Sequence, residues 1–426
     1  MTMKNKKYLL PFILVTACFA LWGFANNIMH PLVQSFSKIF RMSVTDGALI
    51  QVAFYAGYFA MALPAALFIR RYSYKAGIVV GLAFFAVGSL LFIPAKELGS
   101  YYPFLFAYFV LTCGLSFLET SANPFIMSMG DPESATRRLN LAQAFNPVGN
   151  LLGMYVAMEF IQARLNPMGS TERMALGEAE FEALRQSDLT ILVGPYGVLG
   201  VFLLVLMVVM ILVKMPSQVA PANHNEEKNG AGLTDVCRRL LSNKRYRGGV
   251  VAQFFYVGAQ VMCWTYVIQY GISIFMGEGM SEQAAEILSQ KYNIVAMVFF
   301  CIGRFVCTYL LRFIKESRLL AVLSLAACVF LIGVVGVGGR FGLCCLVGVS
   351  ACMSLMFPTI YGMALEEVSE DAKIGAAGLV MAILGGSVLP PIQAAIIDAG
   401  AVNVSFLLPL LCFAVIAHYG WRASKG

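Results

Sequence analysis

The run TILVGPYGVLGVFLLVLMVVMILV (190–213) passes directly into KMPSQVAPANHNEEKNGAGLTDVCRRLLSNKRYR (214–247). The first part is apolar and, at 1.5 Å per helical residue, long enough to cross a hydrocarbon layer about 30 Å thick. The second is polar. Its middle, 216–232, is rich in Pro, Asn, Glu and Gly, which reads as disordered. It is the only extended polar linker in the chain, and it divides the apolar segments evenly. Before it lie 8–36, 44–69, 76–95, 102–129, 137–160 and 190–213; after it lie 247–275, 285–311, 318–336, 341–365, 373–397 and 402–421. The pattern predicts an all-α membrane protein of twelve transmembrane helices. A six-helix bundle occupies 1–213, a cytoplasmic linker 214–246 and a second six-helix bundle 247–426.

Composition agrees with this reading. Of 426 residues, 59% are hydrophobic and 12% charged, against about 45–50% and about 25% in soluble domains. A water-soluble enzyme is excluded. The net charge of +7 would point to nucleic acid or anionic lipid in a soluble protein, but here its distribution sets orientation instead. With the N-terminus inside, 21 of the 30 Lys and Arg fall on the cytoplasmic side, 8 on the other, and one, Arg304, within a span. Both termini and the linker are therefore placed in the cytoplasm. The apolar run from Tyr8 to Met29 is too long for a secretory leader and reads as a retained first helix. Most of the eleven Cys lie in apolar runs without CxxC or His–Cys spacing, so neither a metal site nor a disulfide framework is implied. A phosphate-cradling GxxxxGK[ST], a zinc-binding HExxH and a GxSxG elbow are missing. No cofactor and no ATP-driven step are expected; energy would come from an ion gradient or from the substrate itself.

The halves echo each other. The loop after span two reads FIRRYSYK (68–75) and that after span eight LRFIKESR (311–318), a basic loop at the same place in each half, as a duplicated six-helix unit predicts. Two such bundles on a long cytoplasmic tether describe the major facilitator architecture. The one sizeable external segment, 162–188, contains a helix-prone stretch, 172–186, expected to lie over the outer mouth.

Ionisable groups within a span are costly and read first as functional. Glu119 sits mid-span, with Thr112, Ser116 and Asn123 on the same helical face. Hydrocarbon tolerates a neutral carboxyl far better than a carboxylate, so a group that meets water on one side and lipid on the other can carry a proton; the alternative is a neutral acid bonded to a neighbouring helix. Trp22, Asn26 and His30 form a second stripe. His30 precedes Pro31, where the helix is expected to kink or end; it either shares proton handling with Glu119 or bonds to an external loop. Arg304 is read as a gating or ion-pair residue, paired with a carboxylate such as Glu119 or with backbone carbonyls, or else as a substrate contact. Asp398, at the outer end of span eleven, reads as a solvated cap. Asn140, Gln143, Asn146 and Asn150 line one face of span five, and Gln253, Tyr256, Gln260 and Trp264 one face of span seven. Amides that donate and accept suit a polyhydroxylated ligand, and an indole face suits the C–H face of a pyranose. Any single amide can equally be interhelical glue; several stripes together point to sugar.

The runs LWGFANN (21–27), GLSFLETSANPF (114–125), RLNLAQ (138–143), VAQFFYVGAQ (251–260) and IGRF (302–305) closely resemble those of the bacterial L-fucose:proton symporters of the major facilitator superfamily, and the similarity spans essentially all twelve segments. The resemblance implies import of L-fucose, or a relative such as D-arabinose or L-galactose, with a proton, across the bacterial inner membrane. It also implies that Glu119 matches the glutamate central to sugar recognition and proton coupling. The family commonly carries a second acid in span one, in the pattern Asn-Asn-x-x-Asp. Here Asn26-Asn27-Ile28-Met29-His30 puts His30 in that place, which bears on coupling stoichiometry and on the coupling ion. Related glucose/galactose and N-acetylhexosamine carriers share the fold and part of the motif set.

The resulting expectation is a proton-coupled sugar importer, not an enzyme, working by alternating access about a site near the bilayer midplane. Glu119 and His30 would handle the proton. Glu119, Asn123, Asn26, Gln143, Asn146, Gln260, Trp264 and Trp22 would contact sugar. Partners are a small sugar, protons and the bilayer; nucleic acid is not expected, and the protein is read as a monomer. A glucose/galactose-type carrier and an uncoupled facilitator are the nearest alternatives. The amide stripes weigh against an exporter of amphipathic compounds, and the short linker and tail against a transporter-like sensor.

Overall fold

The computed structural model describes residues 8–42, 49–168, 170–213, 232–400 and 402–425. Most of the polar linker falls outside the described residues, as does the side chain of every residue from Asn26 to His30. Two compact units emerge: one formed by 1–125 with 145–218, the other by 126–144 with 219–426.

In the first unit α1 (Leu9–Ile39), α2 (Leu49–Arg71), α3 (Tyr74–Leu90), α4 (Phe92–Glu97) and most of α5 (Tyr102–Ser128) precede a separate helix of the second unit, α6 (Ala135–Gln143). The first unit resumes with α7 (Asn146–Val156), a π turn (Ala157–Gln162), α8 (Ser170–Ala175) and α9 (Glu178–Leu212). The second unit continues with α10 (Leu233–Ser242), α11 (Lys244–Gly277), α12 (Glu282–Leu310), α13 (Glu316–Gly336), α14 (Gly339–Met353), α15 (Met356–Glu366), α16 (Ala372–Met381), α17 (Gly385–Asp398), α18 (Val402–Ser405) and α19 (Leu407–Ser424). Among the described residues, ten helical stretches are long and apolar enough to cross a membrane. Two more account for the twelve apolar segments: α1, with its apolar Leu9–Ala25, and the interrupted run α6–α7.

That interruption has a local cause. Pro147 in the first turn of α7 lacks an N–H, and its ring crowds a carbonyl four residues earlier, which accounts for the turn at Ala144–Phe145 between α6 and α7. Pro31 has no such effect. The expected end of the first helix is not observed, since α1 continues unbroken to Ile39; neighbouring helices and local adjustment accommodate a proline in a span.

The duplication is visible in packing. In the first unit α1 crosses α7 and α3 packs on α9; in the second α11 crosses α17 and α13 packs on α19. Both crossings are backbone contacts. A Cβ on Gly149 would lie 1.8 Å from the Ala20 carbonyl oxygen, and one on Gly385 would lie 2.0 Å from that of Phe254. Without a hydrophobic force between helices in lipid, close approach through small residues is what holds such pairs together.

The external segment is largely helical. Its helix-prone stretch is helical except at Leu176–Gly177, divided between α8 and α9, and α9 starts at Glu178 and runs on into span six. Arg173, counted as an external charge, is buried against Asp188 at 2.7 Å, each about 1% exposed. Arg173 also donates to the carbonyls of Asn166 and Met168, and Asp188 accepts from the Asn166 N–H. Arg41 lies over the Phe181 ring and donates to the carbonyls of Arg173 and Leu176. At the opposite end of the helices Lys75 donates to the carbonyls of Ile211 and Val213, which a helix C-terminus otherwise leaves unsatisfied. The last part of the predicted linker is ordered: α10 buries Val236 and Leu240, and Arg239 pairs with Asp371 at 2.7 Å.

Candidate functional site

In the first unit the polar face of α5 is wholly buried: Thr112, Ser116, Glu119 and Asn123 are each 0% exposed. Glycine permits the neighbouring helix to approach, because a Cβ on Gly57 of α2 would stand 2.0 Å from Thr112 Oγ1. Ser116 Oγ then donates to the Tyr58 carbonyl at 3.0 Å, and the Tyr58 phenol lies beside both Glu119 and the Trp22 indole of α1. Trp22 is stacked on Phe19, ring centroids 5.8 Å apart. Among the described residues, neither oxygen of Glu119 makes a hydrogen bond. Leaving one buried polar group unsatisfied costs about 1–3 kcal/mol, and more for a charged one. A carboxyl, a phenol and an indole sharing one buried corner therefore form a site able to accept and donate to a ligand or to pass a proton.

The second unit holds a matching cluster on α11 and α12. Gln253 and Tyr256 are fully buried, Gln260 and Trp264 half-buried. Trp264 donates to Ser350 Oγ at 3.3 Å and meets Phe300 edge to face at 4.9 Å. Arg304 is 3% exposed, with its guanidinium carbon 5.1 Å from the Phe300 ring centre. Within this unit no described carboxylate pairs with it, and its Nε and Nη1 make no hydrogen bond. Both amide atoms of Gln253 are likewise without a partner. Inside its own unit the guanidinium of Arg304 faces an aromatic ring.

The span-five amides have different surroundings. Asn146 donates to the Phe19 carbonyl at 3.2 Å and accepts from Asn150 at 3.4 Å, both across or along the α1–α7 contact. Asn140 donates to Thr359 Oγ1 at 3.1 Å and to the Thr136 carbonyl, and Thr136 donates to Glu366 at 2.7 Å. Gln143 is buried at the end of α6. The side chains of Asn26 and His30 lie outside the described residues. Tyr58, Phe300 and Ser350 were not anticipated, although Phe300 lies four residues before Arg304 and Tyr55 three before Tyr58, a helical spacing that could have marked both. No group of three or more His, Cys, Asp or Glu that could hold a metal occurs among the described residues.

Residues 12–391 match the model of the Major Facilitator Superfamily. The chain is 45% identical to an L-fucose-proton symporter of Haemophilus influenzae, across 99% of this chain and 98% of that one. It is 32% identical to a glucose/galactose transporter of Brucella abortus, across 100% and 96%. A crystal structure of the E. coli fucose:proton symporter FucP superimposes with a TM-score of 0.88 at 33% identity, covering 99% of this chain and 100% of that one. A multi-pass membrane protein built from two such helical units, and similar over its full length to these carriers, belongs to the Major Facilitator Superfamily.

Proposed function

We propose that this protein imports L-fucose, or a closely related sugar, together with a proton by alternating access in the bacterial inner membrane, with both termini in the cytoplasm. The observation that carries the reading is Glu119, a fully buried acid with no hydrogen-bond partner among the described residues, set beside a phenol and an indole. In its neutral form the carboxyl donates to a sugar hydroxyl, with Asn123 one turn away on the same helix. Loss of the sugar to the cytoplasm leaves the acid free to release its proton. Gln260 and Gln143 supply amides, Trp264 and Trp22 indole faces, and Arg304 donors toward hydroxyl oxygens or a gating contact. Asn146 and Asn26 complete the proposed sugar set, with Asn146 also holding α1 to α7, and His30 shares the proton. The 45% identity to an L-fucose-proton symporter favours fucose over glucose or galactose.

The test is uptake of labelled L-fucose into proteoliposomes under an inward proton gradient, with a protonophore control and with L-galactose, D-galactose and D-glucose as competitors. Gradient-dependent accumulation that the protonophore abolishes is expected. Equilibration without accumulation would sink the coupling, and indifference to fucose with uptake of another sugar would sink the substrate.

A further inference from the structure

On one flank of the first unit, α1, α7, the π turn and α9 leave between them a groove of about 640 Å³, within the roughly 300–1,000 Å³ typical of ligand clefts. Leu21 and Phe24 of α1, Phe160 of the π turn, and Val198 and Phe202 of α9 form its apolar walls. Val198 is 73% and Phe202 54% exposed, so the groove opens outward, toward lipid, rather than into the unit. The sequence accounts for the opening. The π turn adds a residue to one wall, and opposite it Gly194 contributes no side chain; a Cβ there would meet nothing within 4 Å.

One end of the groove is cationic. Arg164 is exposed, its guanidinium carbon 5.1 Å from the Phe160 ring centre, and among the described residues no carboxylate pairs with it. Thr190 stands at the same end and accepts from Lys96 Nζ at 3.5 Å; Lys96 also meets Glu97 at 3.2 Å. From Thr190 the groove follows α9 to Phe202, roughly 18 Å at the helical rise. That is close to the depth of one leaflet, half of a hydrocarbon core about 30 Å thick. A cleft that is positive at one end and apolar for the depth of a leaflet has the dimensions and polarity of a phospholipid.

We propose that this groove binds one phospholipid with an anionic headgroup, its phosphate on Arg164 with Lys96 nearby and an acyl chain along α9 as far as Phe202. A guanidinium engages phosphate oxygens in pairs, and a second cation disfavours the choline or ethanolamine of a zwitterionic lipid. The chain would press on Leu21 and Phe24, on either side of Trp22 in α1 and next to the Gly149 and Gly153 contacts with that helix. The site stands apart from the transport reading and does not depend on it.

Native mass spectrometry of the full chain, stripped of lipid in detergent and then offered dioleoyl phosphatidylglycerol or dioleoyl phosphatidylcholine, tests the assignment. The wild type should retain one phosphatidylglycerol in preference to phosphatidylcholine by roughly fivefold, the contribution of one basic residue. Arg164→Gln should lower retention of both lipids, because each offers a phosphate to the guanidinium, and Lys96→Gln should lower the preference for phosphatidylglycerol by about that factor. Gly194→Trp, whose ring fills the groove, should lose both lipids; if it does not fold, Val198→Trp replaces it. Equal retention of the two lipids by the wild type, an Arg164→Gln protein that retains both lipids as the wild type does, a Lys96→Gln protein that keeps its preference, or a folded groove-filling variant that binds lipid normally would each overturn the proposal.

Discussion

Replacing Glu119 by Gln separates proton movement from sugar binding. The side chain is 0% exposed and neither oxygen accepts a hydrogen bond from the described residues, so an amide of the same shape disturbs no protein contact and exchanges one unsatisfied polar group for another. The variant should fold. Its sugar affinity should fall by no more than the net worth of one hydrogen bond, about 0.5–1.5 kcal/mol, or roughly two- to tenfold. Its coupling should fall much further. A difference of one pH unit is worth 1.36 kcal/mol per proton, so at one proton per sugar it sustains at most roughly tenfold accumulation, and two units roughly a hundredfold. With no acid to carry the proton, the accumulation ratio should settle at about one. The assay pairs gradient-driven uptake with counterflow, in which labelled sugar exchanges for unlabelled sugar without net proton movement. Accumulation lost and counterflow kept is the expected result. Accumulation equal to the wild type would refute the assignment of the proton to Glu119. Loss of both by a protein that elutes and melts normally would refute the separation of roles.

Three further outcomes follow from the packing. Gly149→Val forces a Cβ that would stand 1.8 Å from the Ala20 carbonyl oxygen, an overpacking that costs about 1–3 kcal/mol or more; a clear fall in melting temperature in detergent is expected, while Gly177→Ala, with nothing within 4 Å of its Cβ position, should melt as the wild type. Arg173→Met leaves Asp188 buried and unpaired and should destabilise by about 3–5 kcal/mol, whereas Arg173→Met combined with Asp188→Leu should recover most of it; a double variant no more stable than the single would mean that the hydrogen bonds to Asn166 and Met168, rather than the charge pair, hold the segment. Glu278, just beyond the end of α11, accepts from Arg340 at 2.7 Å, which holds its carboxyl below the usual range. Its small contribution is therefore complete above the unfolded value of about 4.3 and is lost as pH falls through the lower folded value; Arg340→Gln should remove that acid dependence from a pH series of melting curves.

Hydropathy along the chain determined the count of spans, the linker and the two-fold plan, because a bilayer imposes one length and one polarity on every helix that crosses it. It also singled out Glu119 and Arg304, since an ionisable residue in an apolar run stands out with no knowledge of neighbours. Pro147 marks the break in span five by the same local logic, once its position relative to α6 is known. What the sequence left open was partnership. Asn140 and Asn146 belong to the same stripe, yet Asn140 is bonded to Thr359 and Asn146 to the Phe19 carbonyl, because different helices pass opposite them. Tyr58 is one of several aromatic residues in α2, with Phe54, Tyr55 and Phe59, and becomes part of the Glu119 corner only because Gly57 lets α2 close on α5. Arg173 and Asp188 lie fifteen residues apart in the external segment, with nothing in the sequence to pair them, and are buried together. Burial of a span is a property of one segment, whereas the fate of a polar side chain depends on which atoms a second segment brings within 3 Å of it, and only the tertiary structure decides that.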